Sequence, residues 1–275
     1  MNTALVDTAM APSSGSAFQA HHADRTATMQ VRNVHKKFGD FKVLQGLDIE
    51  FVDDAITTVL GPSGTGKSVL LKHLVGLLEP DQGEVIVFGK DIWKASEDER
   101  YELRKRFGVL FQDGALFGSM NIFDNVAFPL RKHTDMAESE IGDLVMSRLQ
   151  EVGLERSAHK LPTEVSGGMR KRAGFARGLI MNPDIVLFDE PDSGLDPVRT
   201  SLLCDLIQQM HEEHGGTYLL VTHNISAARS VSDYVGMIWQ GKLVHYGDCD
   251  EAFASEDPFV RQFLAGESAG PLGMD

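Results

Sequence analysis

Apolar residues along the chain occur in two arrangements, which are short continuous runs and longer segments with helical spacing. Short apolar runs bounded by turn residues predict buried β-strands. The predicted strands are Met29–Val34, Leu47–Val52, Ile56–Leu60, Glu84–Phe88, Phe107–Phe111, Ile185–Asp189 and Tyr218–Thr222.

The helical spacing is clearest in two segments between these strands. One carries Ile141, Leu144, Val145, Arg148, Leu149 and Val152, and the other carries Val198, Leu202, Leu203, Leu206, Ile207 and Met210. A third helix is predicted to begin near Gly167, with Ser166 as its N-cap. Strands that alternate with helices predict an α/β layered domain with a largely parallel sheet. The ligand is then expected at the carboxyl ends of the strands.

The two ends of the chain lack any sustained period. Residues 1–28 are rich in Ala, Ser, Thr and His, which predicts a disordered tail. Residues 266–275 are predicted to be an irregular tail. Between them we expect one domain, residues 29–265, with a helical insertion at about residues 113–181.

Composition narrows the class of partner. The net charge is −14, from 26 basic and 40 acidic residues, which argues against a general nucleic-acid binder and against attachment to anionic lipid by charge alone. Cys204 and Cys249 have no metal-ligand spacing and are expected to be reduced cytosolic thiols. Since no apolar run approaches the roughly 20 residues that span a bilayer and no secretory signal is evident, we expect any membrane role to need another subunit.

The strongest chemical signal directly follows the apolar run Ile56–Leu60. It is a glycine-rich loop of Gly61, Pro62, Ser63, Gly64, Thr65, Gly66, Lys67 and Ser68. The glycines let successive backbone N–H groups surround phosphate oxygens, and a helix beginning near Lys67 directs its positive end at them. Lys67 can reach the β- and γ-phosphates and the Ser68 hydroxyl can hold Mg²⁺. The loop therefore predicts a nucleoside triphosphate as the ligand.

A pair of acids follows the apolar strand Ile185–Phe188. Asp189 is placed to hold Mg²⁺ through water, because this hard cation prefers oxygen ligands. Glu190 is placed to orient or deprotonate an attacking water molecule. The ordinary alternative is a strand that ends in solvated acids.

Four weaker signals have ordinary alternatives when each is taken alone. Ser166, Gly167 and Gly168 form a second anion site or a simple N-cap. Gln112 and His223 each follow a strand and can reach Mg²⁺ or a γ-phosphate, although lone residues of these types are mostly surface or core residues. The turn from Ser193 to Asp196 precedes a helix that has Pro197 in its first turn.

Taken in order, these elements resemble the motifs of an ATP-binding cassette (ABC) domain over about residues 29–265. The resemblance implies a P-loop NTPase fold with a mainly parallel core sheet, an antiparallel β subdomain and a helical signature subdomain. It implies ATP binding by Gly61–Ser68, Mg²⁺ held by Ser68, Gln112 and Asp189, and hydrolysis with Glu190 as the base. It assigns His223 to the switch histidine, Ser166–Gly168 to the signature motif, Asp196 to the D-loop and Phe38 to the aromatic residue that stacks on adenine.

Three positions depart from the usual family pattern. Phe38 stands where Tyr is more usual, Val165 replaces Leu and Met169 replaces Gln in the signature motif. The Ser166 hydroxyl and both glycines remain, so we expect activity to survive. The family further implies a second copy of the chain, because two ATP molecules then lie between Lys67 of one subunit and Ser166 of the other.

The amino-acid sequences of several segments indicate a particular branch of this family. The segments Asp113–Leu130, Ser166–Gly174, Asp189–Thr200 and Val260–Leu264 are similar to the ATPases of Mce-type lipid importers and Mla phospholipid transporters. This implies integral membrane permeases, Mce-domain lipid-binding proteins and a position on the cytoplasmic face of the cell membrane. The alternatives are an importer of amino acids or other small solutes and a soluble ABC ATPase acting on DNA or ribosomes. After Gln112, Leu116, Phe117, Ile122 and Phe128 either line a groove for a permease helix or fill the core.

Overall fold

The computed structural model describes residues 26–272, which form two β-sheets and nine α-helices within that range. The strands are β1 (Ala27–Phe38), β2 (Phe41–Val52), β3 (Ile56–Leu60), β4 (Gln82–Val87), β5 (Lys90–Asp91), β6 (Phe107–Leu110), β7 (Ile185–Asp189), β8 (Thr217–Thr222), β9 (Tyr234–Trp239) and β10 (Lys242–Asp248). The helices are α1 (Lys67–Leu74), α2 (Glu97–Arg104), α3 (Ile122–His133), α4 (Glu138–Glu151), α5 (Gly167–Leu179), α6 (Pro197–His214), α7 (Ile225–Val231), α8 (Cys249–Phe253) and α9 (Pro258–Ala265).

The larger sheet has six strands in the order β10-β9-β3-β8-β7-β6. All its neighbouring pairs are parallel except β9 with β10. The smaller sheet is antiparallel and has the order β2-β1-β4-β5. The α/β architecture predicted from the sequence is therefore confirmed, with the antiparallel sheet that the resemblance implied.

The central strands are apolar because both faces of the larger sheet are covered. Val186 and Phe188 of β7 pack in a cluster with helices α3–α7, whereas Ile185 and Leu187 pack with α1 and the smaller sheet. Successive side chains of a strand point to opposite faces, so one continuous apolar run fills both cores. Because β3, β6, β7 and β8 run parallel, their carboxyl ends lie along one edge of the larger sheet.

One sequence prediction needs correction at its boundary. The predicted disordered tail lies outside the described residues as far as residue 25, but Ala27 and Thr28 belong to β1. Thr28 is buried, and its hydroxyl donates to Asp53 Oδ1 at 2.6 Å, so hydrogen bonding holds this polar residue in the sheet. Strands β5, β9 and β10 were not predicted.

The C-terminal tail contacts the domain over its described part. Residues 267–272 contain no helix or strand, yet they fold back on α9. The backbone N–H of Leu272 donates to Gln262 Oε1 at 2.8 Å, and both residues are buried. Within residues 26–272, no helix is long and apolar enough to cross a bilayer.

Candidate functional site

The loop between β3 and α1 exposes backbone donors at the carboxyl edge of the larger sheet. Gly64 and Gly66 have φ values of +83° and +101°, which favour glycine over residues with a Cβ. Gly66 is the N-cap of α1, and no side chain of the described residues caps this helix. The first N–H groups of α1 are therefore available to an anion, and the helix dipole favours negative charge there.

Lys67 is buried at the start of α1 and folds back on its own loop. Its Nζ donates to the carbonyl oxygens of Gly61 at 2.7 Å and Pro62 at 3.0 Å, and lies 3.9 Å from Glu190 Oε1. Burial lowers the pKa of Lys67, and the negative charges of Glu190 and Asp189 oppose that shift. The ammonium group thus contacts two carbonyl oxygens and lies near a carboxylate. Phosphate oxygens could replace these partners when a nucleotide binds.

Ser68 and Asp189 are far apart in sequence but adjacent at the sheet edge. The Ser68 hydroxyl donates to Asp189 Oδ1 at 2.8 Å. Both residues line a cavity of about 460 Å³ together with Gln112. A hydroxyl, a carboxylate and an amide oxygen around one space are the hard oxygen donors that suit Mg²⁺, so the residues present fit this ion.

Glu190 adopts an unusual backbone conformation directly after β7. Its φ is +47°, in the left-handed region, where a non-glycine residue carries a cost of order 1–3 kcal/mol. Its N–H donates to Val221 O at 2.9 Å, and its carboxylate lies 3.6 Å from His223 Nδ1. The structure therefore brings Lys67 and His223 to the same carboxylate, that of Glu190.

Gln112 has a partner on the loop that follows Glu190. Its Nε2 donates to the Ser193 hydroxyl at 2.9 Å. In this arrangement the glutamine is linked to the Ser193–Asp196 turn, while its side chain remains on the cavity shared by Ser68 and Asp189.

Other predicted site residues lie away from this group. Ser166 is the N-cap of α5, accepting from Met169 N at 3.3 Å, and it lines a different cavity of about 530 Å³ with Gly168 and Leu195. Asp196 caps α6, accepting from Arg199 N at 3.0 Å. Phe38 ends β1 with 51% of its surface exposed. Their assigned roles stay predictions, and all three have solvent-facing positions that a second molecule or a ligand can reach.

Helix α5 is packed unusually tightly against the segment that follows Gln112. A Cβ added at Gly174 would lie 2.8 Å from both the Cα and the O atom of Gly114. Arg177 donates to the carbonyl oxygens of Gly114 at 3.0 Å and Ala115 at 2.9 Å. The segment is therefore held to α5 by backbone contact and by a half-buried guanidinium.

We expect Gly174→Ala to destabilise the fold by about 1–3 kcal/mol, because the new methyl group meets backbone that must shift. The matched control is Gly142→Ala in α4, where no described heavy atom lies within 4 Å of the added Cβ. That change should stabilise by about 0.5–1 kcal/mol. Urea unfolding midpoints compare the two variants, and equal midpoints would contradict the close packing.

The sequence reading missed residues that join the site to its surroundings. Lys171 is 4% exposed and donates to Pro191 O at 2.7 Å and Ser193 O at 2.5 Å. Arg177 and the buried Asp192 were also not singled out. The burial of Lys171 could have been predicted from helical spacing. Lys171 lies three residues before Gly174 and four before Phe175, and so shares their buried face of α5.

Comparison with known proteins agrees with this geometry. A sequence model of the family described as "ABC transporter" matches residues 44–193, more than half of the chain. The chain belongs to the ABC transporter family. It is the ATP-binding, ATP-hydrolysing component of such a transporter, and the P-loop architecture described above is that of an ABC ATPase.

Individual relatives of this ABC ATPase carry different functional names. A Mycobacterium leprae protein named "Probable ribonucleotide transport ATP-binding protein mkl" is 51% identical over 246 residues, covering 90% of this chain and 71% of that protein. A Haemophilus influenzae protein named "Intermembrane phospholipid transport system ATP-binding protein MlaF" is 41% identical over 244 residues, covering 89% and 92%. The solved ATP-binding cassette MJ0796, a dimer in a post-hydrolysis state with ADP and Pi, is 28% identical, covers 80% of this chain and 98% of its own, and has a TM-score of 0.74.

Proposed function

We propose that this ABC ATPase binds Mg²⁺ and ATP at the carboxyl edge of its larger sheet and powers lipid transport. Gly61–Ser68 would hold the phosphates, Ser68, Asp189 and Gln112 would hold Mg²⁺, and Phe38 would stack on adenine. The support for the metal set is the contact between Ser68 and Asp189 on a cavity lined by Gln112. Mg²⁺ would neutralise phosphate charge.

The chemical step falls to the residues around Glu190. Its carboxylate would accept a proton from the attacking water while His223, 3.6 Å away, hydrogen-bonds the terminal phosphate. Lys67 would leave Gly61 O and Pro62 O for phosphate oxygens, which also frees Glu190 from a nearby cation. The left-handed backbone conformation of Glu190 would hold its carboxylate toward this space.

A second copy of the chain would complete each nucleotide site. Ser166–Gly168 begin α5 away from the cavity beside Ser68, so a phosphate bound by them would belong to a nucleotide held by the other copy. The dimeric arrangement of the MJ0796 cassette supports this assignment. Asp196, at the start of α6, would lie at the same interface.

The permease would dock at the mouth of the cavity beside Gln112. Leu77, Phe111 and Phe117 are 61%, 41% and 42% exposed, and Leu77 and Phe111 line this cavity. Ile122 is fully buried and Phe128 packs on Phe117 with ring centroids 4.8 Å apart. In the segment after Gln112, some apolar residues therefore belong to the core. Others lie on a surface that suits an apolar permease helix.

The cargo class rests on one observation, the 41% identity with the MlaF phospholipid transport ATPase across 92% of that protein. We propose lipid as the cargo, Mce-domain lipid-binding proteins as partners through the permease, and a position on the cytoplasmic face of the cell membrane. The second candidate is a small solute such as a ribonucleotide, which the name of the 51% identical mycobacterial relative favours.

Affinity purification of tagged Glu190→Gln chain from native membranes with ATP separates these proposals. Recovery of permeases with Mce-domain proteins and bound lipid is the expected result. Recovery of a permease with a solute-binding protein, and no lipid, would favour the small-solute candidate. Ribosomes or DNA in place of a permease would contradict the transport role. The same purification without ATP is the control for nucleotide-dependent capture.

A further inference from the structure

Lys171 is a buried cation that joins α5 to the segment after Glu190. It is 4% exposed, and its Nζ donates to Pro191 O at 2.7 Å and to Ser193 O at 2.5 Å. Burial lowers the pKa of Lys171, opposed by the negative charges of Asp192, Asp113 and Glu190. A buried lysine is costly unless its hydrogen bonds are made. Breaking the two bonds to Pro191 O and Ser193 O would therefore be unfavourable, and Lys171 holds the Pro191–Ser193 segment to α5.

The segment Pro191–Ser193 is itself connected to both sides of the nucleotide site. Asp192 is buried and accepts from the Thr222 hydroxyl at 2.7 Å, and that hydroxyl accepts from Asn224 N at 3.0 Å. His223 lies between these two residues. The Ser193 hydroxyl accepts from Gln112 at 2.9 Å. A displacement of this segment would therefore move the surroundings of Gln112, Glu190 and His223 together.

The other end of the link is the signature end of α5. Ser166 caps this helix five positions before Lys171, a separation of about 7.5 Å along a helix that rises 1.5 Å per residue. Gly174 contacts Gly114 further along the same helix. Because a helix of this length moves as one body, a shift of its Ser166 end is transmitted to Lys171.

We propose that Lys171 is a positioning residue that couples the signature end of α5 to the Pro191–Ser193 segment, and so links hydrolysis at one nucleotide to engagement of the other. The inference rests on the proposed function, in which Ser166 meets the nucleotide of the partner copy while Glu190 acts on its own. Lys171 then connects the two nucleotide sites of a dimer through one subunit.

The test measures ATP turnover of the purified full chain against ATP concentration for the parent, Lys171→Met and Lys171→Arg. We expect a Hill coefficient above 1 in the parent that falls to 1 in Lys171→Met, with ATP affinity unchanged. The maximal rate should fall about tenfold, the rate equivalent of one lost hydrogen bond from a charged donor. Lys171→Arg should retain cooperativity because it keeps the charge and several donors.

Arg148→Met is the matched control for general loosening. Arg148 is also buried on the helical insertion and also reaches other elements, donating to Asn182 Oδ1 at 2.9 Å and contacting His214, but it does not touch Pro191–Ser193. This variant should lose thermal stability and keep its Hill coefficient.

Three outcomes would overturn the coupling. They are a parent Hill coefficient of 1, an unchanged coefficient in Lys171→Met, or the same loss of cooperativity in Arg148→Met. If Lys171→Met does not fold, Thr222→Val removes the bond to Asp192 and is judged by the same criteria. Normal turnover in Glu190→Gln would instead contradict the proposed function, so the two failures are distinguishable.

Discussion

Replacing Glu190 by Gln is expected to lower ATP turnover by about 10²- to 10⁴-fold, the range typical of a lost general base. The amide keeps the size of the side chain but cannot accept the proton of the attacking water. ATP binding should persist, since Gly61–Ser68 and Asp189 are unchanged. The variant should therefore accumulate as an ATP-bound dimer, because hydrolysis no longer removes the ligand that favours the closed state.

Structure around Glu190 explains why the effect should be confined to chemistry. The carboxylate is 20% exposed and lies 3.9 Å from Lys67 Nζ and 3.6 Å from His223 Nδ1. Its N–H bond to Val221 O does not involve the side chain. The substitution thus leaves the left-handed backbone in place while removing one negative charge between two nitrogen donors.

Steady-state hydrolysis and size-exclusion chromatography with and without ATP measure the two expectations. Glu102→Gln is the control, since that carboxylate lies on α2 and pairs with Lys105, three residues further along the chain. Surface changes of this kind are usually within about 0.5 kcal/mol and should leave turnover unchanged. Near-normal turnover in Glu190→Gln would contradict its assignment as the base.

The parts of the fold that the sequence predicted are those where burial imposes one pattern. Strands β3, β7 and β8 are buried along nearly their whole length, so each carries apolar residues at consecutive positions. Strand β10 has half-buried residues at every interior position and no alternation of buried and exposed residues. Its sequence therefore has no period that would predict a strand. Strand β5 spans only Lys90 and Asp91, too short for any pattern. Packing against neighbours decides these strands.

The candidate site shows the same division between local and distant information. The loop Gly61–Ser68 is contiguous, so its spacing alone predicts its conformation. The contact between Ser68 and Asp189 could be anticipated because both follow parallel strands at one sheet edge. By contrast, the bond from Gln112 to Ser193 and the carbonyl contacts of Lys171 depend on how loops pack. No periodicity or motif specifies such contacts.

Replacing Lys67 by Met is expected to weaken ATP binding by about 10²- to 10⁴-fold, if two hydrogen bonds from the ammonium to phosphate oxygens are lost at about 1.5–3 kcal/mol each. Methionine keeps the approximate length and the apolar stem but has no donor. The expected loss is in affinity, in contrast to Glu190→Gln, where affinity should be retained and turnover lost.

The same substitution changes the chain without ligand, and this provides a second measurement. Lys67 Nζ donates to the carbonyl oxygens of Gly61 and Pro62, and Pro62 O also accepts from the Thr65 hydroxyl. Removing the ammonium group therefore leaves the Gly61 carbonyl without this donor in a partly buried loop, at a cost of about 1–3 kcal/mol. Lys132→Met, on α3, exposed and not on the cavity beside Ser68, is the control and should change neither quantity. Calorimetric titration with ATP and thermal unfolding without it test the pair. If Lys67→Met lowers the unfolding temperature yet binds ATP as tightly as Lys132→Met does, then Lys67 only stabilises the loop. In that case the backbone donors at the start of α1 would carry phosphate binding without it.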